Sequence, residues 1–131
     1  MIEDIQRDIN WLGENAKSGN IGAISQVLNH LAVLTVTLGN EVSDAYKLQQ
    51  ELEDQYDIAF ATKFTELTKG GISAAAAKPQ VEAELAQERK DWTQAKAGYK
   101  RLSTFLDRCD RVLEAFRQSV SVEKMSNLKN I

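Results

Sequence analysis

Lysines and aromatic residues stand close together in the middle of this chain, a combination that suits binding to a nucleic acid. The lysines are Lys63, Lys69 and Lys78, and the aromatic residues are Tyr56, Phe60 and Phe64. A lysine neutralises a backbone phosphate, and an aromatic ring stacks on an unpaired base. We therefore predict that this segment contacts single-stranded DNA. The alternative, in which the rings belong to the protein core, is the commoner use of aromatic residues.

A second set of basic residues follows in the last third of the chain. It comprises Lys96, Lys100, Arg101, Arg108 and Arg111. Arg101 and Arg108 are one heptad apart and Arg111 is one turn further, so the three arginines form a row along one face of a helix. Such a row could follow phosphates without reading the base sequence. Alternatively, these arginines pair with acidic residues of the same helix.

The distribution of charge favours a basic surface in the second half. The 131 residues carry a net charge of −3. Residues 1–62 contain three basic and ten acidic residues, a net charge of −7, whereas residues 63–131 contain thirteen basic and nine acidic residues, a net charge of +4. The first half would repel a polyanion and the second half could hold one.

No group of residues suited to catalysis is apparent, and we predict neither an enzyme nor a bound cofactor or metal. His30 is the only histidine and lies in an apolar stretch, which favours packing over acid–base chemistry. Cys109 is the only cysteine, so an internal disulfide is excluded, and its apolar surroundings predict a buried thiol. The acidic run from Glu51 to Asp57 is typical of a solvated helix face.

The basic residues must be positioned by helices, because apolar residues of the second half recur in steps of three and four. This apolar seam comprises Leu85, Trp92, Ala95, Tyr99, Leu102, Leu106, Cys109, Leu113, Phe116 and Val120. An average spacing of 3.5 residues predicts a long helix that packs against a partner helix.

The chain is predicted to be a single all-α domain, a long antiparallel helical hairpin preceded by a short helix. The predicted segments are residues 1–20 (short N-terminal helix and loop), 21–69 (first long helix), 70–78 (turn) and 79–131 (second long helix and short C-terminal helix). Gly70-Gly71 ends the first long helix, Ser73 can cap a helical turn, and Pro79 predicts a restart of the helix. Gly39 could bend the first long helix, and Ser121 could cap the last short one.

The first long helix begins with a stretch too apolar for an isolated hairpin. The residues assigned to oligomerisation are Ile24, Val27, Leu28, Leu31, Leu34 and Leu38. Apolar residues that cover most of a helix circumference require burial on several sides, which predicts a homo-oligomeric bundle or ring. A membrane span is the rival interpretation, but polar residues interrupt a run that is already too short.

The second long helix also resembles a known family. Residues 106–117 read Leu-Asp-Arg-Cys-Asp-Arg-Val-Leu-Glu-Ala-Phe-Arg and are similar to the late helix of the phage recombination mediator family typified by UvsY. The shared elements are Leu-Asp-x-Cys and, three residues later, Leu-acid-Ala-apolar-base. Upstream, the order of features is similar: a charged helix with Ala45 and Tyr46, a basic and aromatic stretch before a glycine turn, and a helix with Trp92 and Tyr99. The resemblance covers residues 39–128.

The resemblance implies a non-enzymatic helical protein that forms ring-like homo-oligomers in the cytoplasm of a phage-infected or prophage-carrying bacterium. Such mediators bind single-stranded DNA, engage the recombinase and the single-strand-binding protein, and help to load the recombinase. They carry a pair of basic residues before the glycine turn; Lys63 matches one, and Thr65 or Phe64 stands in place of the other, for which Lys69 or Lys78 could compensate. The alternative function is a helical scaffold or virion assembly protein without affinity for nucleic acid.

Overall fold

The computed structural model describes the backbone of residues 1–129 and the side chains of residues 1–122. This part of the chain contains no strand and folds into four helices: α1 (Ile2–Asn15), α2 (Ile21–Lys69), α3 (Ala74–Glu84) and α4 (Ala86–Lys129). The prediction of an all-α fold is confirmed. The helices form two compact units: unit 1 contains residues 1–42 and the chain from residue 102 onward, and unit 2 contains residues 43–101. Because the boundaries fall inside α2 and α4, no linker composition in the sequence marks them.

Local chemistry explains how α2 begins and continues. Residues 16–20 form the short loop after α1, and the side-chain oxygen of Asn20 caps α2 by accepting a hydrogen bond from the Ala23 amide at 3.1 Å. The β-branched Thr35 is accommodated because its hydroxyl donates to the Leu31 carbonyl at 2.8 Å. The helix then runs through Gly39 to Lys69 without interruption.

The turn after α2 uses the residues that the sequence indicates. Gly71 adopts a φ of 96°, a left-handed conformation that glycine adopts without steric cost. The Gly71 amide donates to the Thr68 carbonyl at 3.2 Å, and the Ile72 amide donates to the Leu67 carbonyl at 3.1 Å. This pair of bonds is the Schellman arrangement that closes a helix. Ser73 then caps α3, as predicted, because its hydroxyl accepts from the Ala76 amide at 3.3 Å.

The predicted boundaries around Pro79 are wrong. The turn is shorter than residues 70–78, and Pro79 lies inside α3 rather than at a restart. The helix breaks instead at Leu85, which has φ −100° and ψ 18°. Ala77, Val81 and Leu85 are all buried, and their packing outweighs the single backbone hydrogen bond that a proline removes from a helix.

The predicted short C-terminal helix is also absent as a separate element. Helix α4 continues past Ser119 and Ser121 to Lys129, because no glycine or proline interrupts it there. Met125 and Leu128 fall within the predicted short helix, and their side chains lie outside the described residues.

The apolar seam is confirmed as the buried face of α4, together with Leu85, which lies between α3 and α4. Leu85, Cys109, Leu113 and Val120 are buried, and the other six seam residues are half-buried. In unit 1 the seam joins residues of α1 and α2 in one apolar core. Its buried members are Ile5, Leu12, Ile24, Leu28, Leu31, Leu38, Cys109, Leu113 and Val120.

The structure corrects the residues assigned to oligomerisation. Ile24, Leu28, Leu31 and Leu38 are at most 4% exposed within a single chain, and Val27 and Leu34 pack partly buried against the same core. The burial that seemed to require further copies is supplied by α1 and α4. Ile24, Leu28, Leu31 and Leu38 are therefore not available at the surface of the chain for contacts with another copy.

Helix α2 is long and apolar enough to cross a membrane, judged by length and composition alone. Its most apolar 18-residue window has a mean hydropathy of 1.5, and 28% of that window is buried within the chain. Mostly buried core helices of soluble proteins meet the same criterion. The apolar start of α2 lines the core of unit 1 on one face and exposes Val33 and Val36 on another.

Candidate nucleic-acid interface

Four aromatic side chains of unit 2 form a continuous series of ring contacts, here called the aromatic ladder. It comprises Trp92, Tyr56, Phe60 and Phe64. The rings of Trp92 and Tyr56 lie 5.9 Å apart between centroids at an interplanar angle of 21°, and those of Phe60 and Phe64 lie 6.0 Å apart at 13°. Tyr56 and Phe60 connect the two pairs at 6.2 Å. All four side chains are half-buried, so they stabilise the unit and also keep part of each ring in contact with solvent.

One lysine lies against this ladder, and a second lies on the same face of α2 as two of its rings. The Lys96 Nζ is 5.8 Å from the centroid of the Trp92 ring, a distance at which an ammonium group is attracted to an aromatic face. Lys63 follows Phe60 by three residues and precedes Phe64, which places all three on one face of α2. The Lys63 Nζ is 3.4 Å from the Glu84 Oε2, and the two side chains are 41% and 46% exposed. The ladder is thus bordered by positive charge, part of which a carboxylate neutralises.

Trp92 has a feature that its place on the seam does not predict. Its indole Nε1 is buried and has no hydrogen-bond partner among the described residues. A buried donor without an acceptor costs about 1–3 kcal/mol. Trp92 is therefore held in place by its ring contacts and not by its polar atom.

The other four basic residues of unit 2 that were predicted to bind DNA are exposed on α2, α3 and α4. Lys69 lies in the last turn of α2 and Lys78 lies on α3 beside Pro79. Lys100 and Arg101 lie on α4, and all four side chains are exposed. The structure provides no contact that joins these four to the aromatic ladder.

The predicted row of arginines is divided between the two units. Arg101 belongs to unit 2, whereas Arg108 and Arg111 belong to unit 1. All three side chains are exposed, in agreement with their predicted position opposite the seam. Among the described side chains, none of the three forms an ion pair, so the alternative of pairing within the helix is not realised there.

Contacts within unit 2 match α2 with the later helices in reverse order. Tyr46 pairs with Tyr99 at 5.3 Å between ring centroids, Tyr56 pairs with Trp92, and Lys63 reaches Glu84. As the residue number rises on α2, the number of its partner falls. This order fixes which basic residues come near which aromatic rings.

A contact between Asp8 and His30 lies in unit 1 and was not predicted. The Asp8 Oδ2 is 2.5 Å from the His30 Nδ1; the Asp8 side chain is 11% exposed and that of His30 is 54% exposed. His30 is therefore not packed in the core. A signal was present, because Asp8 shares the buried face of α1 with Ile5 and Leu12, and a charge on such a face requires a partner.

The described residues contain no cluster suited to metal binding, since no group of three or more His, Cys, Asp or Glu side chains could hold an ion. Cys109 is fully buried, as its place on the seam predicts. Burial raises the pKa of its thiol, Asp110 raises it further, and Arg108 partly opposes the change. The thiol is thus protonated and shielded, which is unsuited to a nucleophile.

No protein-family model, curated protein sequence or solved structure matches this chain. The candidate interface therefore depends on the geometry of the aromatic ladder and on the exposed basic residues.

Proposed function

We propose that this chain is a non-enzymatic protein that binds single-stranded DNA through unit 2. The observation that carries the proposal is the half-buried aromatic ladder, with Lys96 over the Trp92 ring and Lys63 beside Phe60 and Phe64. Partly exposed rings offer stacking surfaces to bases, and lysines offer charges to phosphates. Lys69, Lys78, Lys100 and Arg101 extend the basic surface.

A single strand fits this surface better than a duplex does. Stacking on an aromatic ring requires an unpaired base, whereas the bases of a duplex are stacked on one another. The lysines neutralise phosphates without reading sequence, so we expect binding that depends strongly on salt and weakly on base composition. Arg108 and Arg111 of unit 1 are a second candidate contact, since both are exposed.

The more specific role that we propose is that of a recombination mediator, which helps to load a recombinase onto single-stranded DNA. This role rests on the resemblance of residues 106–117 to the phage mediator family. It includes contacts with the recombinase and the single-strand-binding protein, self-assembly, and a cytoplasmic location in a phage-infected or prophage-carrying bacterium. The reverse order of contacts within unit 2 supports an antiparallel helical hairpin there.

Fluorescence anisotropy of a labelled oligothymidine, measured against the full chain at several salt concentrations, tests the proposal. We expect saturable binding whose logarithm falls linearly with the logarithm of salt, with a slope of about −0.7 per phosphate neutralised. Lys63→Gln and Lys96→Gln should each weaken binding. Lys47→Gln is the matched control, because Lys47 is an exposed lysine of α2 outside the proposed site.

Absence of binding at low salt, by protein that circular dichroism shows to be folded, would refute the proposal. The helical scaffold would then be the better account. That second candidate is favoured by one observation: an uncharged helix face in unit 1 is exposed to solvent.

A further inference from the structure

The outward face of α2 over residues 21–40 is exposed yet carries no charged residue. No Asp, Glu, Lys or Arg occurs between Lys17 and Glu41, although such residues make up 27% of the chain. Val33 and Val36 are 66% and 67% exposed. A helix face that only meets water normally carries charged side chains, so this face differs from the rest of the surface.

The exposed residues of this segment follow the same spacing as its buried residues. The buried positions of α2 are Ile24, Leu28, Leu31, Thr35 and Leu38. Opposite them lies a second series in alternating steps of four and three, here called the outer stripe: Gly22, Gln26, Asn29, Val33, Val36 and Asn40. All six residues are exposed. The spacing is that of a helix that packs against another helix along a seam.

We propose that the outer stripe is the surface through which a second copy of this chain docks, its own outer stripe facing the first. A copy brings the same uncharged surface, so no like charges meet, whereas the acidic residues elsewhere in residues 1–62 would repel one another. Each Asn or Gln amide is both donor and acceptor, and an identical amide on the facing helix therefore satisfies it. Polar amides at seam positions also fix the register of paired helices.

Other occupants fit the outer stripe less well. A charged partner finds no opposite charge there. A lipid bilayer would leave the amides of Gln26, Asn29 and Asn40 without hydrogen-bond partners in hydrocarbon, which is costly. The inference does not rest on the proposed binding of DNA, but it rests on the self-assembly included in the proposed mediator role and names the surface for it. It places that surface on the face of α2 opposite the buried Ile24–Leu38 series.

The mass of the full chain in solution, measured by light scattering after size exclusion, tests the proposal. We expect a multiple of 14.6 kDa for the natural sequence and the monomer mass for the double variant Val33→Glu/Val36→Glu. Two carboxylates buried between copies without a partner should weaken self-association by at least about 100-fold. Ile58→Glu is the matched control, since Ile58 is on the same helix and is 68% exposed but lies beside Asp54 and Asp57. It should leave the mass unchanged.

A cross-linking experiment locates the contact independently. In a Cys109→Ala background, Val33→Cys should form a disulfide-linked dimer under mild oxidation, and Ile58→Cys should not. The proposal is overturned if the natural sequence is monomeric at all concentrations, or if Val33→Glu/Val36→Glu assembles like the natural sequence. It is also overturned if the natural sequence binds phosphatidylcholine vesicles and the double variant does not, because the outer stripe would then contact lipid. Affinity for oligothymidine in the monomeric variant would leave the DNA-binding proposal intact, so the two proposals fail separately.

Discussion

Replacing Glu84 by glutamine should strengthen the binding of single-stranded DNA, whereas replacing Lys63 by glutamine should weaken it. The two side chains form an exposed pair with 3.4 Å between the Lys63 Nζ and the Glu84 Oε2. Since such pairs contribute at most about 1 kcal/mol, a phosphate can displace the carboxylate. Releasing Lys63 should therefore raise affinity by up to about fivefold, which is 1 kcal/mol expressed as an equilibrium ratio.

The loss of Lys63 should appear mainly in the salt dependence. One phosphate contact to a single strand contributes about 0.7 to the slope of log K against log salt. The ratio of the affinity of the natural sequence to that of Lys63→Gln should therefore be about fivefold larger at 0.1 M salt than at 1 M salt. In the double variant, the gain from Glu84→Gln should disappear, because the lysine that it releases is absent.

Anisotropy titrations of the natural sequence, both single variants and the double variant at several salt concentrations measure this coupling. Glu82→Gln is the control for charge alone, since Glu82 lies on the same helix and forms no ion pair among the described side chains. If Glu84→Gln acts like Glu82→Gln, or if its effect persists in the Lys63→Gln background, Lys63 does not contact phosphate and the reasoning fails.

Three further outcomes are expected from the described contacts. Trp92→Phe retains an aromatic ring against Tyr56 and removes the unpartnered N–H, so urea denaturation should give an unfolding free energy within about 1 kcal/mol of the natural sequence, whereas Trp92→Ala should lose about 3–5 kcal/mol. His30→Ala leaves the buried Asp8 carboxylate without its partner and should cost about 1–3 kcal/mol, a loss that Asp8→Asn should partly restore in a double variant. Burial raises the pKa of Cys109 above its usual 9.0, so the protonated thiol is favoured in the folded state. The contribution of this thiol to the free energy of unfolding should be complete below pH 9 and should be lost as pH rises through the raised pKa. In a series of denaturation experiments at increasing alkaline pH, the natural sequence should therefore lose stability relative to Cys109→Ala.

Features encoded by local spacing could be predicted from the sequence. The steps of three and four from Trp92 to Val120 correspond directly to burial, because a helix places such residues on one face. Gly71 and Ser73 end one helix and begin the next through interactions within a few residues. The same holds for Cys109, whose place in the seam determines its burial.

Features that depend on distant residues could not be predicted. The restart predicted at Pro79 does not occur, because the burial of Val81 and Leu85 is a tertiary effect that local propensity does not include. The Ile24–Leu38 series was assigned to contacts between copies, because the sequence does not show that α1 and α4 cover it. The partners Asp8–His30 and Lys63–Glu84 lie more than a helical turn apart in sequence, and no periodicity relates them.

The division of the chain into one continuous and one discontinuous unit has a consequence for folding. Unit 2 consists of consecutive residues, whereas the core of unit 1 joins Leu28 and Leu31 to Cys109 and Leu113. Contacts so distant in sequence form slowly, since a long loop must close before they are gained. When unit 2 folds first, the pairing of Tyr46 with Tyr99 brings the two ends of the intervening segment together. During synthesis the apolar start of α2 stays partly uncovered until the residues of α4 that complete its core have left the ribosome. Apolar surface exposed in this way promotes aggregation of a nascent chain.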